Sequence, residues 1–315
     1  MNLYSAFGRF SSLTLCTLAL SLGCKPTSKP AGAPPSDTTE LVLYSNLVDR
    51  ASQDDLTIAM QASGIPERNI ESLWENVNQF NSIIQAEGLV PSGFVKLDSI
   101  LPRYDELTIQ GLWDKHYPNF FGYNCRITSF DLLKDMIRVE RHTTERQPTL
   151  MFDEESLDSC GKELFDPEQR KTFRTLFSAI PTPYEPNIQT HLKNIQNHWQ
   201  QQGVQFIHKN DSTKASLISV VMHSAIEPSE SFLFVGHAGV LFPYQGKLMF
   251  VEKLTFQAPY QATLFNNRQE LSDYLMRMYD VEWEQSTAVP FLMENDELLK
   301  GYRPNPKKHL VGSSE

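Results

Sequence analysis

The sequence predicts an α+β fold in which N-terminal helices pack on an antiparallel sheet. In the first half of the chain, apolar residues recur at three- and four-residue spacing over residues 53–87, which is the period of an amphipathic helix. In the second half, two β-rich runs, 232–242 and 247–256, flank the turn-forming segment Pro-Tyr-Gln-Gly. The length of 315 residues suits one large domain, which we expect to span residues 41–315.

The N-terminus has the pattern of an export signal covering residues 1–23. Arg9 supplies a positive charge, and the apolar segment 13–22 is too short to span a bilayer as a helix. The segment ends in Leu-Gly-Cys, which resembles the lipobox of bacterial lipoproteins, where cleavage leaves the cysteine lipidated as the new N-terminus. We therefore expect lipidation at Cys24 and an exported lipoprotein anchored to the membrane of the cell envelope. A soluble secreted protein is the alternative.

Residues 24–40 are predicted to tether this lipid anchor to the domain. They are rich in Pro, Ser, Gly, Ala and Thr, a composition that cannot build a hydrophobic core. The formal net charge of −10 at pH 7 argues against a nucleic-acid partner, because phosphates require a basic surface.

Helices dominate the predicted first half of the domain. Gly64 and Pro66 divide the helical region 53–87 into two helices, and a shorter helix is expected at residues 106–115. A further helix is predicted to begin at the cysteine of Asn-Cys-Arg-Ile, because its apolar positions recur at spacings of three, three and four: Ile127, Phe130, Leu133 and Ile137. The predicted elements of this half are a strand at 41–43, helices at 106–115 and 124–140, and a strand end at 149–153.

Strands dominate the second half, after two more helices. Alternating and β-branched runs predict the strands, and a helical apolar period predicts the last helix. The predicted elements are helices at 167–177, 186–202 and 269–278, strands at 204–208, 217–226, 232–242 and 247–256, and an ordered tail at 285–306.

Cys125 and His237 are the residues that suggest chemistry. Cys125 falls in the first turn of its predicted helix, where the positive end of the helix dipole lowers a thiol pKa. His237 lies within a predicted strand, between small residues, and an imidazole near a thiol can take its proton. The pair predicts a cysteine nucleophile activated by a histidine.

Glu252 is predicted to orient the imidazole. A hairpin loop centred on Tyr244 and Gln245 places His237 directly opposite Glu252, on the same face of the sheet. One ring nitrogen then binds the carboxylate, and the other faces the thiol.

The oxyanion of such a reaction needs hydrogen-bond donors near the cysteine. The backbone N–H of Cys125 supplies one, and a side chain is expected to supply another. Asn119, Tyr123 and Asn124 are the candidates, and the sequence does not choose among them. Asn119 lies six residues before the cysteine, a spacing that papain-like enzymes use for a glutamine donor.

A structural interpretation of the same residues stays open. An oxidising compartment favours a disulfide between Cys125 and Cys160, with His237 and Glu252 as a structural pair. The protein would then be a non-catalytic binding lipoprotein of the envelope.

Other polar residues point to structural roles. His191 and His198 lie seven residues apart without a further ligand, so we expect neither a metal nor a cofactor. Arg126 and Asp131 are expected to pair with each other.

Five segments resemble an uncharacterised family of bacterial secreted proteins and lipoproteins, the domain of unknown function 4300. They lie across the chain after the tether, and the family implies no activity. The segments are Tyr-Ser-Asn-Leu-Val-Asp from 44, Gly-Tyr-Asn-Cys-Arg-Ile-Thr-Ser from 122, Gly-His-Ala-Gly-Val-Leu from 236, Phe-Val-Glu-Lys-Leu-Thr-Phe-Gln from 250 and Gly-Tyr-Arg-Pro-Asn-Pro from 301.

A looser resemblance connects the chain with the NlpC-like papain-fold peptidases and amidases. Those enzymes place a cysteine at a helix start, a histidine on a strand and a polar orienting residue on the next strand. Cys125, His237 and Glu252 would fill these roles, although the usual Asp-Cys-Ser is Asn-Cys-Arg here. The resemblance implies a papain-like α+β domain that hydrolyses or transfers at an amide bond, with a peptide or peptidoglycan-like substrate.

Overall fold

The computed structural model describes residues 42–97, 102–282, 284–306 and 308. The predicted export signal, the tether and the lipidation site at Cys24 lie outside these residues. Contacts divide the chain between Glu40 and Leu41, and the described residues all belong to the second unit.

The described residues contain eight α-helices, most of which begin at a polar capping residue. Asp49, Asp105, Asn124, Asp166 and Asn267 each accept a backbone N–H of the first turn. The helices are α1 (Arg50–Ala62), α2 (Glu67–Ile83), α3 (Glu106–His116), α4 (Cys125–Leu133), α5 (Met151–Ser159), α6 (Pro167–Phe177), α7 (Ile188–Gln202) and α8 (Arg268–Tyr279).

Eleven strands lie in the described residues. They are β1 (Leu43–Ser45), β2 (Val95–Lys96), β3 (Ile137–Arg138), β4 (Ile180–Pro181), β5 (Gln205–Phe206), β6 (Ser216–Ala225), β7 (Ser231–Tyr244), β8 (Lys247–Lys253), β9 (Tyr260–Phe265), β10 (Phe291–Glu294) and β11 (Glu297–Leu298). The main sheet is antiparallel, in the order β11-β10-β6-β7-β8-β9-β1-β2, and β4 adds to β7. This confirms the predicted α+β class with a large antiparallel sheet.

The two faces of the sheet bury two separate cores. Val240 and Phe242 of β7 pack into the larger core, to which helices α1 to α7 all contribute. Leu241 and Phe250 point the other way, into a smaller core completed by α8. Alternation along the strands produces this division, because successive residues of a strand face opposite sides of the sheet.

Two predicted elements differ in the structure. The helix that begins at Cys125 ends at Leu133 rather than at residue 140, and Ile137 lies in β3, paired with Phe206. A four-residue step from Leu133 to Ile137 fits a helix, but the β-branched Ile137 is also suited to a strand. Residues 149–153 are not a strand: a 3-10 turn over Pro148–Leu150 leads directly into α5.

The β7–β8 hairpin turns one residue later than predicted. Its loop is Gln245-Gly246, both with positive φ (48° and 76°), so Tyr244 pairs with Lys247. A two-residue loop of this kind is typical of a tight hairpin. The predicted direct opposition of His237 and Glu252 is therefore wrong by two residues, a shift that keeps both side chains on one face.

Candidate functional site

Cys125 is the first residue of α4, and its neighbour Asn124 fixes where the helix begins. The Asn124 Oδ1 accepts the backbone N–H of Ile127 at 3.0 Å. Cys125 therefore lies in the first turn, where the helix dipole is positive. The residue is buried, with 6% of its surface exposed, and its thiol is free.

Asp153 of α5 ties this helix start to the sheet. Its Oδ1 accepts Asn124 Nδ2 and Arg126 Nε, both at 2.9 Å. Arg126 Nη1 in turn donates to the backbone carbonyl of Val235 in β7 at 2.9 Å. These bonds hold the first turn of α4 against β7 from both sides of the cysteine.

The predicted ion pair between Arg126 and Asp131 is not formed. Asp131 instead accepts Lys134 Nζ at 2.7 Å and Ser72 Oγ at 2.6 Å. Positions five apart on a helix point in different directions, so Arg126 faces β7 while Asp131 faces α2.

Strands β7 and β8 separate beside the cysteine. Their pairing runs from the hairpin loop as far as Val240 and Val251. Beyond this point β8 stays paired with β9, and β7 stays paired with β6. The backbone N–H of Ala238 faces the resulting gap and donates to the Cys125 sulfur. The end of the β7–β8 pairing therefore leaves the Ala238 N–H to bind the Cys125 sulfur.

A bulge in β7 adjusts the strand just before the histidine. Val220 pairs with His237 and Val221 with Val235, which leaves Gly236 as an extra residue. A Cβ atom at Gly236 would lie 2.4 Å from the sulfur of Met222, so a larger residue there would displace the Met222 side chain. Bulges re-aim side chains next to active sites.

His237 contacts both predicted partners. Its Nε2 lies 2.6 Å from Glu252 Oε2, and its side chain makes a hydrogen bond with the Cys125 thiol. Because Nε2 is taken by the carboxylate, Nδ1 is the nitrogen left for the sulfur. Glu252 reaches His237 as a diagonal neighbour across the sheet, a separation that long side chains can span.

A buried network holds the second oxygen of Glu252. Oε1 accepts the Tyr274 hydroxyl at 2.9 Å and Gln261 Nε2 at 3.4 Å. The side-chain oxygen Oε1 of Gln261 accepts a hydrogen bond from the Tyr104 hydroxyl at 3.1 Å, and the Asn46 amide donates to that hydroxyl at 2.8 Å. The carboxylate orienting the imidazole is therefore itself oriented from α8 and β9.

The electrostatics of the site favour a charged pair. Burial raises the pKa of the Cys125 thiol, but His237, Arg126 and the Ala238 N–H outweigh it, so the pKa is lowered overall. Burial alone would lower the pKa of His237, yet Cys125 and Glu252 raise it to about 10. A thiolate beside an imidazolium is the state of a reactive cysteine at neutral pH.

Three residues of the site were missed at the sequence level. The ring of Tyr279 stacks on His237, with centroids 5.0 Å apart and planes at 23°. Tyr274 and Gln261 bind Glu252, as described above. One signal was present: Tyr274 lies in the apolar stripe of a predicted helix, and a buried tyrosine hydroxyl needs a partner.

Lys253, next to Glu252 in β8, is also fully buried. Its Nζ donates to the carbonyls of Thr255 at 2.9 Å, Phe256 at 3.2 Å and Ala258. The same atom lies 3.7 Å from the centre of the Phe80 ring. These three carbonyls equal in number the N–H donors of a lysine ammonium. Burial of the side chain lowers the pKa of Lys253 well below its ordinary value.

The three candidate oxyanion donors differ in their hydrogen-bond partners. The Asn124 amide is engaged at both ends, with Ile127 and Asp153. The Tyr123 hydroxyl bonds to Cys160 instead of facing Cys125. Asn119 is exposed, and its side chain makes no hydrogen bond with another described residue. The backbone N–H of Cys125 is the donor that the helix start leaves in place.

Cys125 and Cys160 are both free thiols, so the disulfide of the structural interpretation is not formed. Cys160 Sγ donates to the Lys162 carbonyl at 2.9 Å. His191, considered as a metal ligand, lies 2.8 Å from Thr182 Oγ1 through Nδ1 and 2.6 Å from the Glu185 carbonyl through Nε2.

No group of three or more His, Cys, Asp or Glu side chains among the described residues is arranged to hold a metal ion. No helix in the same residues combines the length and apolar character needed to cross a membrane.

Comparison with known proteins identifies the family of the chain but indicates no activity. A family described as "Domain of unknown function (DUF4300)" matches residues 43–299. Searches of curated proteins and of solved structures each returned no significant match.

Proposed function

The chain belongs to the family named Domain of unknown function (DUF4300), and we propose from its site that it is a cysteine hydrolase or acyltransferase acting on an amide bond. One observation carries the proposal: Cys125, His237 and Glu252 form a continuous hydrogen-bonded chain at a helix start. The helix start, the strand histidine and the orienting carboxylate on the next strand agree with a papain-like arrangement.

The reaction follows from these positions. The Cys125 thiolate attacks the carbonyl carbon, a C–S bond forms, and the backbone N–H of Cys125 binds the oxyanion. The C–N bond then breaks, and His237 gives its proton to the leaving nitrogen. In hydrolysis, water loses a proton to His237 and displaces the thiolate, which releases the acid. Glu252 keeps the imidazole in place throughout.

The acyl-enzyme on Cys125 is the species to test. The full chain is incubated with an activated acyl ester and followed by intact mass, as wild type, Cys125→Ala and the matched control Cys160→Ala. We expect one acyl group on wild type and on the control, and none on Cys125→Ala. An acyl group of equal stoichiometry on the Cys125→Ala protein rejects the mechanism. Far-ultraviolet circular dichroism shows whether each variant is folded.

A binding lipoprotein without activity remains the rival prediction. The rival was predicted with a Cys125–Cys160 disulfide, which the structure does not form, so the presence of free thiols no longer separates the two. A reactive thiol of lowered pKa belongs to the enzyme. Thiol labelling of wild type against pH separates them: a rate that stays high below pH 8 supports the enzyme. A rate that follows an ordinary cysteine, with a pKa of about 8.5, supports the rival.

The cell envelope is the proposed location, with Cys24 as the lipidated residue and a cell-wall peptide as the substrate class. The lipobox-like segment and the tether support this placement. Labelling of the expressing bacterium with a fatty-acid probe gives the test. Cys24→Ser should lose the lipid label, whereas Cys16→Ser, within the same signal, should keep it. Equal labelling of the two variants refutes lipidation at Cys24.

A further inference from the structure

The ring of Tyr279 lies against one face of the His237 imidazole. The two ring centroids are 5.0 Å apart and the ring planes are at 23°, which is a stacked arrangement. Tyr279 is the last residue of α8 and packs against the smaller core. His237 lies in β7 with 1% of its surface exposed. The stacking therefore brings the end of α8 into contact with a residue of the proposed reaction.

The imidazole is otherwise held at its edge by hydrogen bonds. Nε2 lies 2.6 Å from Glu252 Oε2, and the side chain also bonds to the Cys125 thiol. Bonds at the two nitrogen atoms leave the ring able to tilt about the line that joins them. Tyr279 contacts the face of the ring rather than its edge. Stacking therefore opposes the movement that the two hydrogen bonds allow.

The ring of Tyr279, and not its hydroxyl, is the group that contacts the site. Burial raises the pKa of the hydroxyl well above its usual value, and the charges of Glu252 and Cys125 raise it further, so the phenol stays neutral. The hydroxyl makes no hydrogen bond with another described residue. Tyr274, earlier on the same helix, differs because its hydroxyl binds Glu252 at 2.9 Å. The two tyrosines of α8 therefore contact the site through different groups.

An aromatic face in this position favours a cation. The π-system makes the face of the ring negative, and a cation within about 6 Å of the ring centre is attracted to it, more strongly where water is excluded. The imidazole of His237 lies within this range and is buried. Its protonated form gains from the contact, whereas the neutral form gains little.

We propose that Tyr279 is a positioning residue of the site, and that its ring stabilises the imidazolium form of His237 while holding the plane of the imidazole. This role rests on the proposed acyl transfer, in which the imidazolium stands beside the Cys125 thiolate and gives its proton to the leaving nitrogen. Tyr279 acts through His237 and does not itself contact the reacting atoms.

Titration of the His237 ring by NMR tests this role without requiring activity. The full chain is compared as wild type, Tyr279→Phe and Tyr279→Leu, and the His237 signal is assigned by its loss in His237→Asn. We expect the imidazolium of wild type and of Tyr279→Phe to lose its proton near pH 10. In Tyr279→Leu the pKa should be lower by about one unit, the size of a buried cation–π contact. An unchanged or a raised pKa in Tyr279→Leu overturns the proposal.

Leucine is chosen over alanine because Tyr279 also lines a cavity of about 500 Å³. A smaller side chain would open the imidazole face to that space, and relief of burial would raise the His237 pKa. The neighbouring substitution Met278→Leu, also on α8, is the control and should leave the titration at its wild-type position. If circular dichroism shows that Tyr279→Leu is unfolded, Tyr279→Met gives the same comparison with a more adaptable side chain.

The charged neighbours of the imidazole are the same in all these proteins. Cys125 faces it from α4 and Glu252 from β8, and both raise its pKa. Tyr274 of α8, which binds Glu252, is neutral, because burial and the Glu252 charge raise its pKa well above the usual value. A shift confined to the variants without an aromatic ring is therefore due to the loss of the Tyr279 ring.

The pH profile of Cys125 acylation separates this role from the proposed function. Both are supported if the high-pH limb of the acylation rate moves to lower pH in Tyr279→Leu and stays in place in Tyr279→Phe. A shifted His237 titration without any acyl-enzyme rejects the proposed acyl transfer and retains the role of Tyr279. Acyl-enzyme formation with one common pH profile in the three proteins rejects the role of Tyr279 alone.

Discussion

The Tyr274 hydroxyl donates a 2.9 Å hydrogen bond to Glu252 Oε1, the carboxylate oxygen that does not hold His237. A residue of α8 therefore helps to orient His237, the histidine of the proposed reaction, through the carboxylate that both residues bind. Groups that orient a catalytic imidazole in this way contribute to the rate without touching the substrate.

Tyr274→Phe removes this bond without changing the ring. We expect the rate of Cys125 acylation to fall about three- to tenfold and the free energy of unfolding to fall about 1–2 kcal/mol, because the hydrogen bond is buried. Acylation kinetics and urea unfolding measure the two effects. Tyr302→Phe loses a comparable bond, to the Pro290 carbonyl, and should change stability only. Wild-type acylation in Tyr274→Phe contradicts the orienting role.

Glu252→Gln replaces the carboxylate by an amide of the same size. Loss of the negative charge should lower the His237 pKa from about 10, because Glu252 is one of the groups that raise it. The high-pH limb of the acylation rate then moves to lower pH. At pH 7 the rate should fall roughly 10- to 100-fold, as expected for a hydrogen bond to a charged group.

The pH profile of acylation is the measurement for this variant. Glu230→Gln, an exposed change on the β6–β7 turn, should keep the wild-type profile. If the high-pH limb of the acylation-rate profile does not shift in Glu252→Gln, a group other than Glu252 stabilises the His237 imidazolium.

The charged pair should also give a characteristic dependence of stability on pH. Between the lowered pKa of the thiol and the imidazole pKa of about 10, the folded chain holds one proton on Cys125 and His237 together, whereas the unfolded chain holds two below pH 6.5 and none above pH 9.0. The lowered thiol pKa adds stability that is lost as the pH falls. The raised imidazole pKa adds stability that is lost as the pH rises towards about 10. Above pH 9.0 the unfolded chain holds neither proton while the folded chain still holds one, so the contribution of the pair falls between pH 9.0 and about 10.

Urea unfolding of wild type and Cys125→Ser across pH 5 to 10 provides the comparison. The difference in free energy between them should fall as the pH rises from 9 to 10. Cys160→Ser, the control, should differ from wild type by a nearly constant amount. A flat difference for Cys125→Ser means that thiol and imidazole are both neutral in the folded protein.

Lys253→Met tests the buried ammonium. The substitution keeps an apolar chain of similar length but leaves the carbonyls of Thr255, Phe256 and Ala258 without their shared donor. We expect a loss of about 2–3 kcal/mol in the free energy of unfolding, because buried carbonyls lose their partner. Lys247→Met, at the exposed start of the same strand, should change it by less than about 0.5 kcal/mol. A stable Lys253→Met protein shows that the segment is held by other contacts.

Local pattern predicted the elements that bear the site. The apolar stripe that begins at Ile127 identified helix α4 and its start near Cys125, because periodicity is encoded in neighbouring residues. The end of α4 was wrong, since a four-residue step can continue a helix or enter a strand. The β7–β8 turn was predicted one residue too early. Local sequence does not distinguish the two positions, because Tyr244-Gln245 and Gln245-Gly246 are both plausible two-residue loops.

The sequence by itself determined the α+β class, the cysteine at a helix start, and a histidine and a glutamate on one face of a hairpin. These properties depend on residue spacing, and an error of two residues in register does not change the face. Only the tertiary structure decided that β7 and β8 part beside Cys125, that Tyr274 and Gln261 orient Glu252, and that the ring of Tyr279 stacks on His237. Those contacts join segments far apart in the chain, and the packing of α4 and α8 against the sheet sets their distances.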